Sequence, residues 1–466
     1  MAARSEVVSR GQTRPPCLRD GSGRLTFTKL FKAPPSAWRG IRRGNKMADN
    51  LQQLMDNVQE HFGVILKDKQ REAMVTFMSG YDVFVVLPTG YGKSIIYGFL
   101  PYAFDLYKGQ EGSIVICVSP LVSLMMDQKA RFTPKGVVAE FVGEEQTDQN
   151  CIRSVISGSA QLVYISPESL ICNQIYRNMI LSPIYKEKLV AFVIDEAHCV
   201  KSWGDKFRLA YSQLGDIRSL LPTNTNVMAL TATATHETYK VVCQRLSLLN
   251  QKLIGCQPNR SNIKYEVRPL EDVETFCGNI AGELKIQGLE YPRTVIFVQR
   301  YSDCSLLFHT LRRKLGSNLT FPPDYPMLPQ FTVIDMYTRA STISKKEQVL
   351  SAFCTPNGVL RVVIATTAFG MGVDCSDIHH IIHWGSTSTI EQYVQETGRA
   401  GRDGHLSRAI LYYGKPGRFV HQEMKDYGNN HKECRRRMLI QNFMFCDSSM
   451  FVEDKDHCCD ICSLNL

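Results

Sequence analysis

Asp82-Val-Phe-Val-Val-Leu-Pro-Thr-Gly-Tyr-Gly-Lys-Ser94 is the stretch that decides the fold of this chain. Its first half is a β-branched apolar run, the composition of a strand buried on both faces. It passes directly into Thr89-Gly90-Tyr91-Gly92-Lys93-Ser94, where two glycines let backbone N–H groups turn inward around phosphate oxygens. Lys93 is spaced to reach terminal phosphates, and Ser94 to offer a hydroxyl to Mg²⁺ at a helix N-terminus. The strict phosphate-loop pattern asks for glycine where Leu87 stands, so the stretch is a variant of that motif. A Gly-rich turn between strand and helix, holding no nucleotide, is the plain alternative.

A second stretch weighs against that alternative. Leu189-Val-Ala-Phe-Val-Ile-Asp195-Glu196-Ala-His198 sets two carboxylates at the end of another buried strand. Asp195 suits a Mg²⁺ ligand, directly or through water, and Glu196 suits a base that orients and deprotonates an attacking water. Further short apolar runs at Ser113–Val118, Leu162–Ile165 and Asn226–Leu230 alternate with helical patterns, as in a parallel α/β sheet.

A matching α/β run follows, with strands expected at Arg293–Val298 and Arg361–Ala365. Its Gly-containing turn Thr366–Gly372 lacks a phosphate-loop lysine. Beyond it, Gln392-Tyr-Val-Gln-Glu-Thr-Gly-Arg399-Ala-Gly-Arg402-Asp-Gly404 places two arginines three apart on one helix face or turn. Facing a phosphate cradle across a cleft, either arginine could act on developing γ-phosphate charge. Surface arginines are the alternative.

Composition is that of an ordinary globular protein, with 44% hydrophobic and 21% charged residues among 466, enough for roughly two to four domains. No apolar run approaches the ~18–20 residues that span a bilayer, so no membrane partner is expected. The net charge of +9 is concentrated in residues 1–47, which hold eleven Lys/Arg and two acids, leaving 43 of each sign elsewhere. The basic excess is therefore no argument for nucleic-acid binding by the folded part. That Arg-rich leader reads as a disordered basic tail, a segment before a true start at Met47, or a mitochondrial transit peptide. Most of the 16 cysteines are scattered among apolar residues, as in reduced core positions. The exception is the dense group Cys434, Cys446, Cys458, Cys459 and Cys462.

Taken in order, PTGYGKS (88–94), DEAH (195–198), LTATAT (230–235), ATTAFGMG (365–372) and QETGRAGRDG (395–404) resemble the RecQ family of superfamily 2 DNA helicases. The likeness runs from about residue 57 to 462. It implies two tandem RecA-like lobes with ATP between them, followed by a small helical zinc-binding subdomain, and 3′-to-5′ movement on single-stranded DNA. The expected divisions are a leader over 1–47, lobe one over 48–250, lobe two over 251–414 and the zinc subdomain over 415–466. By the same resemblance Gln70 reads adenine, Ser119 and Ser166 lie in motifs that touch the DNA backbone, and Thr231 and Thr233 link hydrolysis to lobe movement. Asp374 and Gln395 complete the cleft.

The loop after DEAH couples DNA to hydrolysis in that family. Here Trp203, Phe207 and Tyr211 offer stacking faces and Arg208 charge, with packing at a lobe interface as the alternative reading for the aromatics. Asp205 and Lys206 depart from the family's usual His-Asp. Gly316–Phe331, with four prolines, is expected to be an exposed insertion. The tail implies a structural Zn²⁺ on Cys434, Cys458, Cys459 and Cys462, the Cys-x₂-Cys pair at 459 and 462 being a chelating spacing. Cys446 and His457 are alternatives for one ligand; a vicinal disulfide or metal-free thiols are alternatives to the site.

The chain is expected to be a short form without the winged-helix and HRDC domains. Its cofactors would be ATP, Mg²⁺ and Zn²⁺. Its partners would be single-stranded and tailed or branched duplex DNA, with recombination or repair proteins, acting as a monomer in the nucleus; the mitochondrion or cytoplasm are alternatives. Competing functions are a DNA-stimulated ATPase or partner-binding factor with little unwinding, and an RNA helicase.

Overall fold

The computed structural model describes residues 45–143, 146–202, 209–366, 369, 375–446 and 455–464. Two parallel sheets form the body of the chain. The first takes the strands β1 (Val83–Val86), β2 (Ile114–Val118), β3 (Ala139–Val142), β4 (Leu162–Ile165), β5 (Leu189–Ile194), β6 (Asn226–Thr231) and β7 (Lys252–Gly255) in the order β3-β4-β2-β5-β6-β1-β7. The second takes β8 (Ile263–Pro269), β9 (Arg293–Val298), β10 (Ile334–Tyr337), β11 (Val362–Ala365), β12 (Ile378–Trp384) and β13 (Ser407–Tyr413) in the order β10-β11-β9-β12-β13-β8.

Every pairing in both sheets is parallel, which requires helical crossovers and covers both faces. That burial accounts for the unbroken apolar runs. β1, β2, β4, β5 and β9 are buried at every position. Each sheet separates two apolar clusters, one on each face. Asp82, at the head of β1, is a buried exception that the surroundings satisfy. Its carboxylate accepts from the Val227 and Leu249 N–H groups and pairs with Arg218 at 2.9 Å.

The division between lobes falls later than expected. β7 pairs with β1, Val83 opposite Lys252 through Val86 opposite Gly255, so lobe one reaches past 250 to at least Gly255. A four-residue edge strand following a helix carries too little pattern to be assigned to one sheet or the other from sequence.

The segment after β13 does not form a core of its own. Met424, Tyr427, Leu439, Ile440, Phe443, Cys459 and Ile461 join one of lobe two's apolar clusters. Cys459 bridges Tyr265 of β8, and Asp460 accepts the Val267 N–H at 3.0 Å. The same segment also touches lobe one, where Met444 donates its N–H to the Ala234 carbonyl at 2.9 Å. The proline-rich insertion is exposed from Phe321 to Leu328, as expected.

No helix among the described residues is long and apolar enough to cross a membrane.

Candidate active site

In lobe one the acids follow a strand end directly, and the lysine follows another strand after one loop. β1 ends at Val86, Leu87 and Pro88 follow, and the loop closes into the helix Lys93–Gly98. Gly90 and Gly92 sit at φ +82° and +91°, in the left-handed region that an L side chain resists. At Gly92 there is a second reason: an added Cβ would lie 2.5 Å from Nε2 of Gln70. Gln70 is buried, and that amide donates to the Tyr91 and Gly92 carbonyls, each at 2.9 Å, while its Oε1 accepts the Lys67 N–H. The residue expected to read adenine thus also braces the phosphate loop. Thr89 lies at the head of that loop and Ser94 is the second residue of the helix.

Lys93 donates to the Leu87 carbonyl at 3.1 Å, curling back over its own loop. Burial pulls its pKa down, Glu196 and Asp195 push the other way, and the charges of Arg402 and Arg399 add to the lowering. Asp195 is held by Tyr97, whose hydroxyl donates to Oδ2 at 3.0 Å, and by the Glu196 N–H at 2.9 Å. Burial and the neighbouring Glu196 raise the Asp195 carboxyl to about 6, with Lys93 opposing. Tyr97 was not anticipated as part of the site. The signal was its place four residues after Lys93, on the same helix face.

Glu196 takes φ +48°, a left-handed conformation that is strained for a non-glycine residue. Its Oε2 comes within 3.3 Å of His198 Nδ1. The hydrogen-bond network assigns the His198 tautomer. Thr231 Oγ1 already donates to the Thr233 carbonyl, so it accepts from His198 Nδ1–H at 3.2 Å. That leaves Nε2 unprotonated, facing the Gln395 Nε2 amide of lobe two at 3.2 Å. Burial depresses the His198 pKa, in keeping with a neutral ring. Thr231, His198 and Gln395 therefore form one hydrogen-bonded line from lobe one into lobe two.

Lobe two presents its residues differently. Gln395 lies on the helix Ile390–Thr397, and Arg399 and Arg402 lie in the turn after it. The helix is anchored by a buried contact between His383 Nε2 and Glu396 Oε2 at 2.8 Å. Arg399 is buried, and Arg402 lays its methylenes near Gly90, 3.7 Å from where a Cβ would stand. Arg402 thus lies against the phosphate loop, and the charge of buried Arg399 is felt at Lys93. Their turn is gripped from the segment between the lobes. Arg260 donates to the Gly401 and Ala400 carbonyls, and Asn262 to those of Gly401 and His405 at 2.8 Å.

That segment is in turn held by Arg436. Its guanidinium donates to the carbonyls of Arg260 at 2.6 Å and Ile263 at 2.7 Å, and to Asn259 Oδ1 at 3.0 Å. Arg435 beside it pairs with Asp460 at 2.5 Å. The cysteine segment is therefore linked through two arginines to the turn that carries Arg402. Residue spacing held no sign of this.

Cys434, Cys458, Cys459 and Cys462 meet with all four sulfurs within 4.8 Å of one another, Cys434 and Cys458 at 3.5 Å. Cys446 and His457 are not part of that quartet. Hydrogen bonds from Cys434 and Cys458 hold Cys459 well below the ordinary thiol range. Cys434 stands at the N-cap of a six-residue helix, Arg435–Ile440.

The expected DNA contacts are less exposed than anticipated. Ser119 is buried at the end of β2 and donates its N–H to Ile165, while the Ser166 hydroxyl caps the helix Pro167–Cys172. Tyr211 is not a stacking face: it is fully buried in a lobe-one cluster with Cys199, Val200 and Leu214. The short helix Leu209–Ser212 turns its aromatic inward, where a large ring buries most area. Trp203, Phe207, Arg208 and the departures Asp205 and Lys206 lie outside the described residues, as does Asp374.

Two sheet lobes meeting over a phosphate loop, with acids on one side and arginines on the other, form a nucleotide cleft of the kind built by paired helicase domains. Accordingly, the DEAD/DEAH box helicase family matches residues 67–241 and the helicase conserved C-terminal domain matches residues 280–404. Solved structures agree on the fold. MrfA, a DUF1998 helicase bound to DNA and AMPPNP, superposes with a TM-score of 0.61 at 16% identity, covering 77% of this chain and 50% of the other. Dbp5 of S. cerevisiae, bound to RNA and ADP BeF3, gives 0.60 at 15% identity, covering 82% and 93%.

Among curated relatives, the ATP-dependent DNA helicase hus2/rqh1 of Schizosaccharomyces pombe is 32% identical over 426 residues, 85% of this chain and 30% of its own length. ATP-dependent DNA helicase RecQ of Pasteurella multocida is 32% identical over 349 residues, covering 74% and 49%. ATP-dependent DNA helicase Q1 of Rattus norvegicus is 29% identical over 394 residues, covering 80% and 59%. The chain belongs to the RecQ family of superfamily 2 helicases. It spans half or less of the first two relatives' length.

Proposed function

We propose that this chain is an ATP-driven DNA-unwinding motor that moves 3′ to 5′ and opens tailed or branched duplexes in recombination, repair and replication. The approach of Arg402 to the phosphate loop, opposite Lys93, Asp195 and Glu196, is the observation that carries the reading. ATP and Mg²⁺ fit this donor set. Gly90, Gly92 and Thr89 wrap the phosphates, Lys93 neutralises them, and Ser94 and Asp195 hold the metal. Glu196 orients and deprotonates the attacking water, and Gln395 carries its state to lobe two through neutral His198. Arg399 and Arg402 stabilise charge as it develops on the γ-phosphate. Gln70 senses adenine from the position where it braces the loop. The turns that begin at Ser119 and Ser166, beyond β2 and β4, run along the DNA backbone through the residues that follow those two, and Trp203, Phe207 and Arg208 stack on and neutralise the strand. Relatives named as ATP-dependent DNA helicases support DNA over RNA as the substrate.

Zinc suits the cysteine quartet. Four sulfurs around one ion with ~2.3 Å bonds stand roughly 3.8 Å apart, close to the spacing here. Such an ion would supply stability to a segment with little core of its own. Cys462→Ser is expected to lose one equivalent of zinc and the ordered tail. Full metal content in that variant would remove Cys462 from the ligand set. We place the protein in the nucleus as a monomer, working with recombination or repair proteins.

The deciding experiment is strand displacement on 3′-tailed, 5′-tailed and RNA duplexes with and without ATP. Displacement of the 3′-tailed DNA alone, dependent on ATP, is expected. DNA-stimulated hydrolysis without displacement would point to the ATPase or partner-binding reading, and displacement of the RNA duplex to an RNA helicase.

A further inference from the structure

Beyond the cysteines, one cluster among the described residues gathers metal-ligand atoms: His379, Asp403 and His405. His379 lies on β12, and the other two follow Arg402 in the arginine turn. His379 Nε2 stands 2.8 Å from Asp403 Oδ2, and His405 Nδ1 stands 3.1 Å from the same oxygen. All three donor atoms lie within 4.8 Å of one another, and the two rings meet edge to face at 5.8 Å.

We propose that these three residues form a binding site for a divalent transition metal, distinct from the cysteine quartet and from the nucleotide's Mg²⁺. Three features support it. The first is spacing: donors around a tetrahedral ion with bonds of ~2.0–2.1 Å stand about 3.3 Å apart. The two measured distances are a few tenths of an ångström short of that, and the third pair can close within its limit. Replacing two hydrogen bonds by one ion therefore needs only side-chain adjustment.

The second feature is a rigid frame. The turn is stapled to the start of β12, with the Gly401 N–H on the Ile378 carbonyl at 2.7 Å and the Asp403 N–H on Ser376 at 3.2 Å. Asn262 holds the His405 carbonyl, and the His405 N–H donates to Asp403 Oδ1 at 3.0 Å. The ligands thus come from two elements whose relative position is already fixed, which lowers the ordering cost of binding.

The third is donor chemistry. Two imidazoles with one carboxylate select Zn²⁺, Co²⁺ or Ni²⁺ over the hard ions Mg²⁺ and Ca²⁺. On binding, each imidazole turns a lone pair to the ion and keeps its N–H on the other nitrogen, His379 on Nδ1 and His405 on Nε2. His405 is exposed, so the remaining positions stay open to water. The ion would sit one residue from Arg402, fixing the turn that presents that arginine to the phosphate loop.

Protein with its cysteine site filled by zinc is dialysed against micromolar Co²⁺ and its metal content measured beside its absorption spectrum. One further equivalent is expected, with the weak d–d bands of nitrogen and oxygen ligation and no sulfur-to-metal charge transfer. His405→Ala removes only an exposed side chain, and the variant should fold normally yet lose that equivalent; His379→Ala should do the same. No binding beyond the cysteine site, or equal binding by wild type and both variants, would overturn the proposal. Charge-transfer bands in the added equivalent would also overturn it, by assigning the cobalt to cysteine.

Discussion

Lobe one presents Asp195 and Glu196 directly from the end of β5, and Lys93 from the head of the helix that the phosphate loop joins to β1, all against one buried parallel sheet. Lobe two presents Arg399 and Arg402 from a turn beyond a helix, and that turn is held by Arg260 and Asn262 from the segment between the lobes. The two sides of one cleft are thus positioned by different means. Sheet geometry places the acids, and a short loop joined to β1 and braced by Gln70 places the lysine; side-chain hydrogen bonds to carbonyls, made from the segment between the lobes, place the arginines. The first kind of placement is robust to change elsewhere, while the second depends on residues remote in sequence, on Arg260 and Asn262 and, through Arg260, on Arg436.

The sharpest test removes one residue from each side. Arg402→Ala should lower the kcat of DNA-stimulated ATP hydrolysis by about 10³-fold or more, the range for arginine fingers. Lys93→Ala should lower it by about 10²–10³-fold. The double variant should fall far short of the product of the two, because both act on the same phosphate charge. Full additivity would mean that the two sides work independently and would break the picture of one shared cleft. Steady-state ATPase assays on the four proteins decide it.

A smaller effect separates the two modes of placement. Arg260→Ala leaves both arginines in the chain but frees their turn, and misplacement of that kind should cost about tenfold in kcat. The Michaelis constant for ATP, zinc content and melting temperature should stay near wild type. A drop confined to stability would make Arg260 a packing residue. No change in either would mean that the turn holds itself.

The same contrast explains what could be read from the sequence. The phosphate loop and DEAH stretch were legible because each is a short run whose strand and turn are consecutive. Arg399 and Arg402 could be named, but not their support, since Arg260, Asn262 and Arg436 pair with backbone carbonyls that carry no residue signature. The His198–Gln395 contact was hidden for a related reason: its partners stand 197 residues apart. β7 went to the wrong lobe because four residues at a sheet edge have no distinctive period. Tyr211 was offered to solvent because its neighbours in sequence suggested a stacking loop, whereas its side chain fills the lobe-one core. The cysteine quartet was readable as a set, although Cys434 lies 24 residues before Cys458, because thiols so dense outside a disulfide framework have few other uses.

The subtlest consequence concerns what holds the lobes together before nucleotide binds. Glu391, on the lobe-two helix, accepts from the Thr238 hydroxyl of lobe one at 2.9 Å, while its Oε1 is buried with no hydrogen-bond partner among the described residues. Burial raises this carboxyl to about 7, with Lys201 pulling it down and Glu237 pushing it up. When the lobes part, water reaches the group and its pKa returns toward the ordinary ~4.3. The closed arrangement therefore binds the proton more tightly. Its advantage is complete below the open-state pKa and is lost as pH rises through about 7. The loss is on the order of 3–4 kcal/mol at most. Energy transfer between dyes on the two lobes, without nucleotide, should report a fall in the closed population from pH 6 to pH 8. Glu391→Gln keeps the contact to Thr238 without an ionisable group, so it should stay closed across that range. An identical pH slope in wild type and variant would assign the opening to another group, and would leave lobe contact, like the acids of lobe one, to fixed geometry alone.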